Sequence, residues 1–322
     1  MTDGPATTDA DGAVVTRVYD RLVRSEARDP ADIAALPGNA DRHVARNAVH
    51  TVGALTLTKI GDRVVDAKTV LTWLMGAVGA PAGLTGLLVP VRESGALLPQ
   101  VLVARFVAGK PRRQPTWLVG ALGQAAAVAA MAGIAVGLTG VAAGVALVGA
   151  LAVFATFRSV CSLTIKDVMG RTIPTGERGQ VTGWATTASG LVAITVGLGI
   201  RALGEDAGTA VFGALLAGAA VLWVASAGVF LRVREPAVPD DRDAREGVAA
   251  SLRLLVTDQP FRRFVIARTL MLVSALTPPY VVLLAQEATG SAVAGLGPYV
   301  IAAGVASLIG GRLWGPFADR SS

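Results

Sequence analysis

The sequence is poor in charge, cysteine and histidine. Only 16% of its 322 residues are charged, whereas 52% are hydrophobic and the mean hydropathy is +0.56. This composition is too apolar for an ordinary soluble domain and indicates a protein embedded in a lipid bilayer. The single cysteine, Cys161, excludes an internal disulfide, and its position in an apolar run predicts a packing role.

Few residues suit metal or nucleotide chemistry. The only histidines are His43 and His50, and the one cysteine is distant in sequence, so a metal site is not expected. The sequence has neither a Walker A motif nor H-E-x-x-H, which disfavours ATP-driven pumping and metal-dependent hydrolysis. We therefore expect no cofactor, no bound metal and no enzymatic activity.

Basic residues are concentrated in short segments between apolar runs. The net charge of +6 and the pI of about 10.1 could suit nucleic acid, but this distribution is typical of orientation charge in an inner-membrane protein. We therefore expect no nucleic-acid partner. Only four of the 29 basic residues are lysine, and with abundant Ala, Gly and Val this indicates the codon bias of a GC-rich bacterial genome.

Six apolar runs have the length of about 20 residues that a membrane-spanning helix requires. The junctions around them alternate, because four carry 4, 3, 7 and 2 basic residues and the other three carry none. The positive-inside rule assigns the basic junctions to the cytoplasm. The six runs are Trp117–Leu138, Val141–Thr164, Val181–Leu203, Thr209–Leu231, Phe264–Ala285 and Val293–Leu313.

Two further spans are predicted before Lys110. Hydropathy alone selects one span, Thr69–Val91, but a single crossing would leave three basic residues of "LTKIGDRVVDAKTVL" on the outside, against the charge rule. A Gly/Pro break at "GAPAG" allows two crossings instead. One then lies within Asn47–Val78, the other is Leu84–Phe106, and the N-terminus is cytoplasmic.

Composition divides the chain into four parts. Residues 1–46 are polar and read as a cytoplasmic tail, whose segment "AVVTRVYDRLVRSEA" predicts a solvated helix or one lying on lipid headgroups. Residues 47–231 would form a six-helix bundle, and residues 232–263, with the charged "REPAVPDDRDARE", a central cytoplasmic loop. Residues 264–322 would supply the first two helices of a second, incomplete bundle.

This layout resembles the major facilitator superfamily, and local motifs support the resemblance over about residues 47–320. "GPFADR" follows the eighth span and matches the opening of the family pattern G-x-L-a-D-r-x-G-r-r, with Phe for Leu. "PTGERGQVTG" resembles the family's loop between spans four and five. In the first half the pattern departs, since Val101 stands for the Gly and Arg105 for the Asp.

The resemblance implies an all-α, polytopic membrane helix bundle with about eight spans of an expected twelve, in a chain truncated after the eighth. It also implies a secondary active transporter that moves a small solute by alternating access, driven by a gradient in which protons could take part. Gly315, Asp319 and Arg320 would form a gating loop. Two alternatives stay open: a membrane-embedded enzyme acting on lipid, and a non-transporting scaffold or sensor.

Ionisable residues inside the predicted spans are the candidates for a transport pathway. Each costs at least about 2.5 to 3.5 kcal/mol at a helix centre, so it normally faces a bundle interior. Asp62 and Arg63 lie in the first span, and Arg92 and Glu93 lie near the middle of the second. We hypothesise that these four form an ion-pair network lining a cavity, with one carboxylate exchanging protons; a purely structural salt bridge is the alternative. Arg158, in the fourth span, either reaches the interface or binds an anionic substrate group.

Glycine spacing gives a last expectation, about packing. Pairs four residues apart, such as Gly133 with Gly137 and Gly140 with Gly144, suit the close approach of two membrane helices. We therefore expect helix contacts at these positions.

Overall fold

The computed structural model describes residues 6–23, 30–97, 103–104, 107, 109–202, 208–238, 253, 256–274, 277–289 and 296–320. Every regular element in these ranges is helical, which confirms the predicted all-helical class. Two are short 3₁₀ helices, Ala40–His43 and Thr175–Glu177. The α-helices are α1 Ala6–Leu22, α2 Pro30–Ala34, α3 Val44–Val64, α4 Val70–Ala77, α5 Ala82–Thr85, α6 Leu88–Leu97, α7 Gln114–Gly137, α8 Gly140–Thr172, α9 Arg178–Ala202, α10 Thr209–Phe230, α11 Gln259–Ser274, α12 Thr277–Thr289 and α13 Gly297–Arg320.

Four helical segments are long and apolar enough to cross a membrane, and they mark a membrane-embedded protein. They are Gln114–Gly137, Gly140–Thr172, Thr175–Gly199 and Thr209–Phe230, and they coincide with four of the six predicted runs. In the most apolar 18 residues of each segment, between 33% and 50% are buried inside the protein. The other apolar side chains face outward and suit contact with lipid, whereas a helix bundle in water would need polar side chains at those positions.

The last two predicted runs correspond to helices among the described residues. The run Phe264–Ala285 contains most of α11, which the structure describes to Ser274, and part of α12, which it describes from Thr277. The run Val293–Leu313 corresponds to α13, whose backbone stays helical to Arg320.

Contacts at the two ends of the bundle show how the chain runs between residues 47 and 78. At one end the Asn47 side chain accepts a hydrogen bond from the backbone N–H of Arg234 (2.8 Å) and donates to its carbonyl (3.2 Å). At the other end, in the turn between α7 and α8, the backbone N–H of Gly140 donates to the carbonyl of Val78 at 2.7 Å. The chain from α3 to α4 therefore runs from one end of the bundle to the other.

This run is interrupted at residues 65–69, where the sequence predicts part of a helical span. Asp66 Oδ1 accepts hydrogen bonds from the backbone N–H of Lys68 (2.8 Å) and from the hydroxyl of Thr69 (3.1 Å). Short polar side chains that bond nearby backbone compete with helix continuation, and here they break α3 from α4. The chain then turns within "GAPAG", where Gly79 has a φ of 74°, a left-handed conformation that favours glycine.

Glycines bring α9 and α13 into close contact. A Cβ added at Gly190 would lie 2.6 Å from the backbone nitrogen of Leu308 and 2.7 Å from the carbonyl oxygen of Gly304. Only glycine permits such an approach, so this pair of helices packs backbone against backbone.

The predicted glycine pairs behave differently. Gly133 and Gly137 are exposed, and no described residue lies within 4 Å of a Cβ added at either, so the expectation of helix packing is wrong for this pair within the described part of the chain. Spacing of four places two residues on one side of a helix but does not determine whether that side meets a neighbour. Gly144 does pack closely, with Leu84 Cδ1 at 2.8 Å, whereas Gly140 adopts a left-handed turn.

The N-terminal helix α1 is packed against the bundle. Tyr19 and Val23 are buried, and the Tyr19 hydroxyl donates to the carboxylate of buried Glu177 at 2.6 Å. The indole N–H of Trp184 donates to the carbonyl of Leu22 at 2.7 Å. The prediction of a solvated helix is therefore wrong for one side of α1, which covers the segment that joins α8 to α9, whereas most of its other residues with a described side chain are exposed.

Candidate functional site

Side chains from four helices line a polar cavity of about 230 Å³ inside the bundle. α3 and the interruption after it contribute four of them, and α6, α8 and α9 contribute the others. The cavity lies beside the point where α3 breaks from α4, so it combines charged side chains with irregular backbone. The lining residues are Lys59, Asp62, Arg63, Asp66, Arg92, Arg158, Thr186 and Ser189.

Asp62 is the centre of an ion-pair cluster. A guanidinium nitrogen of Arg158 donates to Asp62 Oδ1, and Arg92 Nη2 lies 3.5 Å from the same oxygen. The side chains of Asp62 and Arg92 are only 19% and 12% exposed. One carboxylate therefore serves two cations from different helices, which fastens α3 to both α6 and α8.

Arg92 has two further contacts that orient it. Its guanidinium donates to the carbonyl of Val65, a backbone group released by the break after α3. Its Cζ also lies 5.9 Å from the ring centroid of Phe154, a favourable arrangement of a cation over an aromatic face. The irregular backbone is thus satisfied by a side chain that faces the cavity, as membrane-buried backbone requires.

Arg63 and Lys59 have no carboxylate partner in the part of the chain that the structure describes. Arg63 donates to the hydroxyl of Ser307 in α13, which connects the cavity to a helix late in the sequence. Lys59 makes neither a hydrogen bond nor an ion pair with any described residue, although it lines the cavity. These two cations therefore make no direct contact with a carboxylate among the described residues.

Glu93 lies apart from the other predicted site residues. It does not line the cavity, and its Oε1 lies 3.9 Å from Lys68 Nζ with both side chains about a third exposed. Consecutive helical residues point about 100° apart, so Arg92 and Glu93 face different surroundings. Of the four residues in the hypothesised network, the structure brings together Asp62, Arg63 and Arg92 and separates Glu93.

Sequence reasoning missed three features of this site. The pairing of Arg158 with Asp62 is not predicted, because the two residues lie 96 positions apart and no local pattern links them. Thr186 and Ser189 were also missed, although the hydroxyl-rich "TTAS" in an otherwise apolar helix was an available signal. Their hydroxyls donate to carbonyls of their own helix at 2.9 and 2.8 Å, which leaves oxygen lone pairs facing the cavity.

A second polar cluster lies at the end of the bundle where α7 begins. The side chain of Glu235 is fully buried and accepts hydrogen bonds at 2.7 Å from the backbone N–H groups of Arg113 and Gln114. Arg171 Nη1 pairs with the same carboxylate at 3.1 Å. Glu235 thus caps the N-terminus of α7 and joins three of the segments that the charge pattern assigns to one side of the membrane.

The predicted gating residues are described by their backbone alone, and neither histidine lines the cavity. Gly315, Asp319 and Arg320 are part of the helical backbone of α13 and not of a loop after it, so their gating role stays a prediction. At the α7 end of the bundle, burial and the nearby guanidinium of Arg234 lower the pKa of His43. No cluster of three or more potential metal ligands occurs among the described residues.

The arrangement of the cavity can hold charge inside an apolar bundle. An excess of cations, hydroxyl oxygens and an interrupted helix are chemically compatible with a bound polar ligand.

No known protein-family model matches this chain, and no curated protein sequence matches it either.

Proposed function

We propose that this protein is a secondary active transporter, not an enzyme, and that it moves a small solute through the lipid bilayer by alternating access. The observation that carries the proposal is the cavity around Asp62, a charged pocket lined by four helices of a membrane-embedded bundle. Ionisable groups at such positions are costly and normally mark a pathway for a polar solute. A discontinuous helix beside the pocket, here α3 and α4, is also typical of transporter binding sites.

The proposed architecture has about eight spans in a layout similar to the major facilitator superfamily. Two crossings before α7 are supported by the contacts of Asn47 and Val78 at opposite ends of the bundle, and by the Arg113 guanidinium, which donates to the carbonyl of Val107. The α10 helix and the long charged segment after it would end the first six-helix bundle. The helices α11 to α13 would then begin the second bundle.

The proposed orientation follows the distribution of basic residues. The basic segments around Arg113, Arg171 and Arg234 lie at the end of the bundle where α7 begins. Glu235 and Asn47 bond to them there. The positive-inside rule makes this end cytoplasmic and the protein multi-pass in a bacterial inner membrane. The N-terminal tail, which packs at the same end through Tyr19 and Glu177, would also be cytoplasmic.

Alternating access requires contacts that can form and break between two bundles. The contacts that join α13 to earlier helices include the hydrogen bond from Arg63 of α3 to Ser307 and the glycine approach between α9 and α13. The first links the cavity directly to the helix that would belong to the second bundle. Movement of α13 would therefore change the surroundings of a charge in the cavity.

Uptake into proteoliposomes tests the proposal. We expect the purified 322-residue chain, in vesicles with an imposed pH gradient, to accumulate at least one of radiolabelled phosphate, succinate, arginine and glucose above the level in empty vesicles. We expect Asp62→Asn to reduce the initial rate at least about tenfold, because it leaves two cationic side chains without their carboxylate.

The controls separate transport from its two alternatives. A rate that is the same with and without the gradient would contradict gradient coupling, and Glu93→Gln assayed at several pH values tests whether that carboxylate exchanges protons. Formation of a lipid product in detergent, with no uptake of any of the four solutes, would support the membrane enzyme instead. Absence of both activities would leave the scaffold or sensor as the better interpretation and contradict transport.

A further inference from the structure

The cavity carries more positive than negative charge. Four of its lining side chains are cationic and two are carboxylates, an excess of two positive charges. Both carboxylates are already engaged: Asp62 pairs with two guanidinium groups, and Asp66 Oδ1 accepts the backbone N–H of Lys68 and the hydroxyl of Thr69. Neither forms an ion pair with the remaining two cations, Lys59 and Arg63.

These two cations, Lys59 and Arg63, lie one turn apart in α3 and line the same cavity. Within the described residues the hydrogen bond that Arg63 donates is to a neutral hydroxyl, that of Ser307, and Lys59 makes neither a hydrogen bond nor an ion pair. Charges in an apolar bundle are normally paired, because an unpaired ion loses its hydration without compensation. A ligand that brings negative charge would supply the missing partner.

We infer that the cavity binds a small soluble anion, with a carboxylate or phosphate group placed between Lys59 and Arg63. Guanidinium donates two parallel hydrogen bonds to such oxygens, and an ammonium group adds a compact charge beside it. The volume of about 230 Å³ lies below the range of about 300–1,000 Å³ typical of drug-sized ligands, so the anion has few heavy atoms. This inference rests on the proposed function, because it names the substrate class of that same cavity.

Two sources carry this chemistry, a dissolved anion and the head group of an anionic lipid. The lining favours the dissolved anion, since charged and hydroxyl side chains from α3, α6, α8 and α9 contribute to it and the acyl chains of a lipid would meet them there. The experiment uses nanodiscs of phosphatidylcholine, which has no net charge, and a second set that contains phosphatidylglycerol. The probes are radiolabelled phosphate and succinate, with glucose as an uncharged solute.

Equilibrium binding to the full chain is measured at constant ionic strength. We expect saturable binding of phosphate or succinate in phosphatidylcholine nanodiscs, and an affinity at least roughly tenfold weaker in the double variant Lys59→Gln, Arg63→Gln, because charge-assisted hydrogen bonds are lost. The matched control is Arg42→Gln with Arg46→Gln, which removes the same charge at two exposed positions four residues apart. The control should keep the native affinity.

Several results would overturn the inference. The native chain could bind neither anion, could bind glucose alone, or could bind the anions no more tightly than the Lys59/Arg63 double variant does. A fourth such result is a chain that binds neither dissolved anion but is stabilised against unfolding in the nanodiscs with phosphatidylglycerol. If the anions bind as expected but no solute is taken up by proteoliposomes, the proposed transport fails and the anion site stands. If glucose or arginine is transported while the anions neither bind nor compete, the anion site fails and transport stands.

Discussion

Asp62 is held by two guanidinium groups that reach it from different helices. Arg158 and Arg92 both approach Asp62 Oδ1, and the carboxylate is largely shielded from solvent. Removal of one member of a buried charge cluster is costly because the remaining charges lose their compensation, whereas removal of a matched pair costs far less. The stability of the bundle therefore depends on the balance of charge at this residue.

The first prediction at the residue scale follows from this balance. We expect Asp62→Asn to lower the free energy of unfolding by about 3–5 kcal/mol, and the double variant Asp62→Asn, Arg158→Gln to recover part of that loss. Denaturant unfolding in detergent, followed by circular dichroism, measures both. Equal losses in the single and double variants would show that Arg158 does not depend on Asp62 for its counter-charge.

At the scale of elements, caps and breaks shape the helices that surround the cavity. Glu235 lies beyond the end of α10 and caps α7 through the N–H groups of Arg113 and Gln114. The amide of Gln114 bonds the carbonyls of Phe230 and Val233, both at 2.8 Å, so the start of α7 is tied to the end of α10. Two helices that the sequence separates are in this way aligned at one end.

A matched pair of substitutions tests the role of this cap. We expect Glu235→Gln to lower the free energy of unfolding by about 1–3 kcal/mol, because it removes the charge from a buried acceptor that has three donors. Glu93→Gln changes the same atoms at a part-exposed ion pair and should cost less than about 1 kcal/mol. Equal thermal shifts in the two variants would contradict the proposed capping.

The sequence predicted elements best where composition alone decides them. The four long helices α7 to α10 follow from apolar runs of spanning length. The break after α3 was not predicted, because it depends on the competition between helix continuation and the local hydrogen bonds of Asp66. The contact of α1 with the bundle was missed for a related reason: Tyr19 and Glu177 lie 158 residues apart, and nothing local indicates that they meet.

At the scale of the whole molecule, the contact between α9 and α13 connects the first six proposed spans to the last. Gly190 and Gly304 approach each other closely enough that a side chain on either would meet backbone of the other helix. Backbone is less able to move aside than the end of a flexible side chain. The separation of these two helices is therefore set by their glycines.

We expect Gly190→Ala to force α9 and α13 apart, to lower the free energy of unfolding by about 1–3 kcal/mol and to change the uptake rate in proteoliposomes. Gly199→Ala is the matched control in the same helix, because an added Cβ there has nothing within 4 Å. Thermal unfolding and uptake are measured for both variants. A Gly190→Ala variant as stable as the control would mean that the two helices do not need this approach.

The sequence by itself determined that the protein is helical and membrane-embedded, because hydropathy and helix length depend only on composition along the chain. It also identified the ionisable residues Asp62, Arg63 and Arg92, since charge inside an apolar run is visible without a structure. Only the tertiary structure decided that Arg158 pairs with Asp62, that Glu93 lies outside the cavity and that Lys59 and Arg63 form no ion pair with any described residue. These relations join helices far apart in sequence, and the energy of a charge inside a membrane protein depends on which helices surround it.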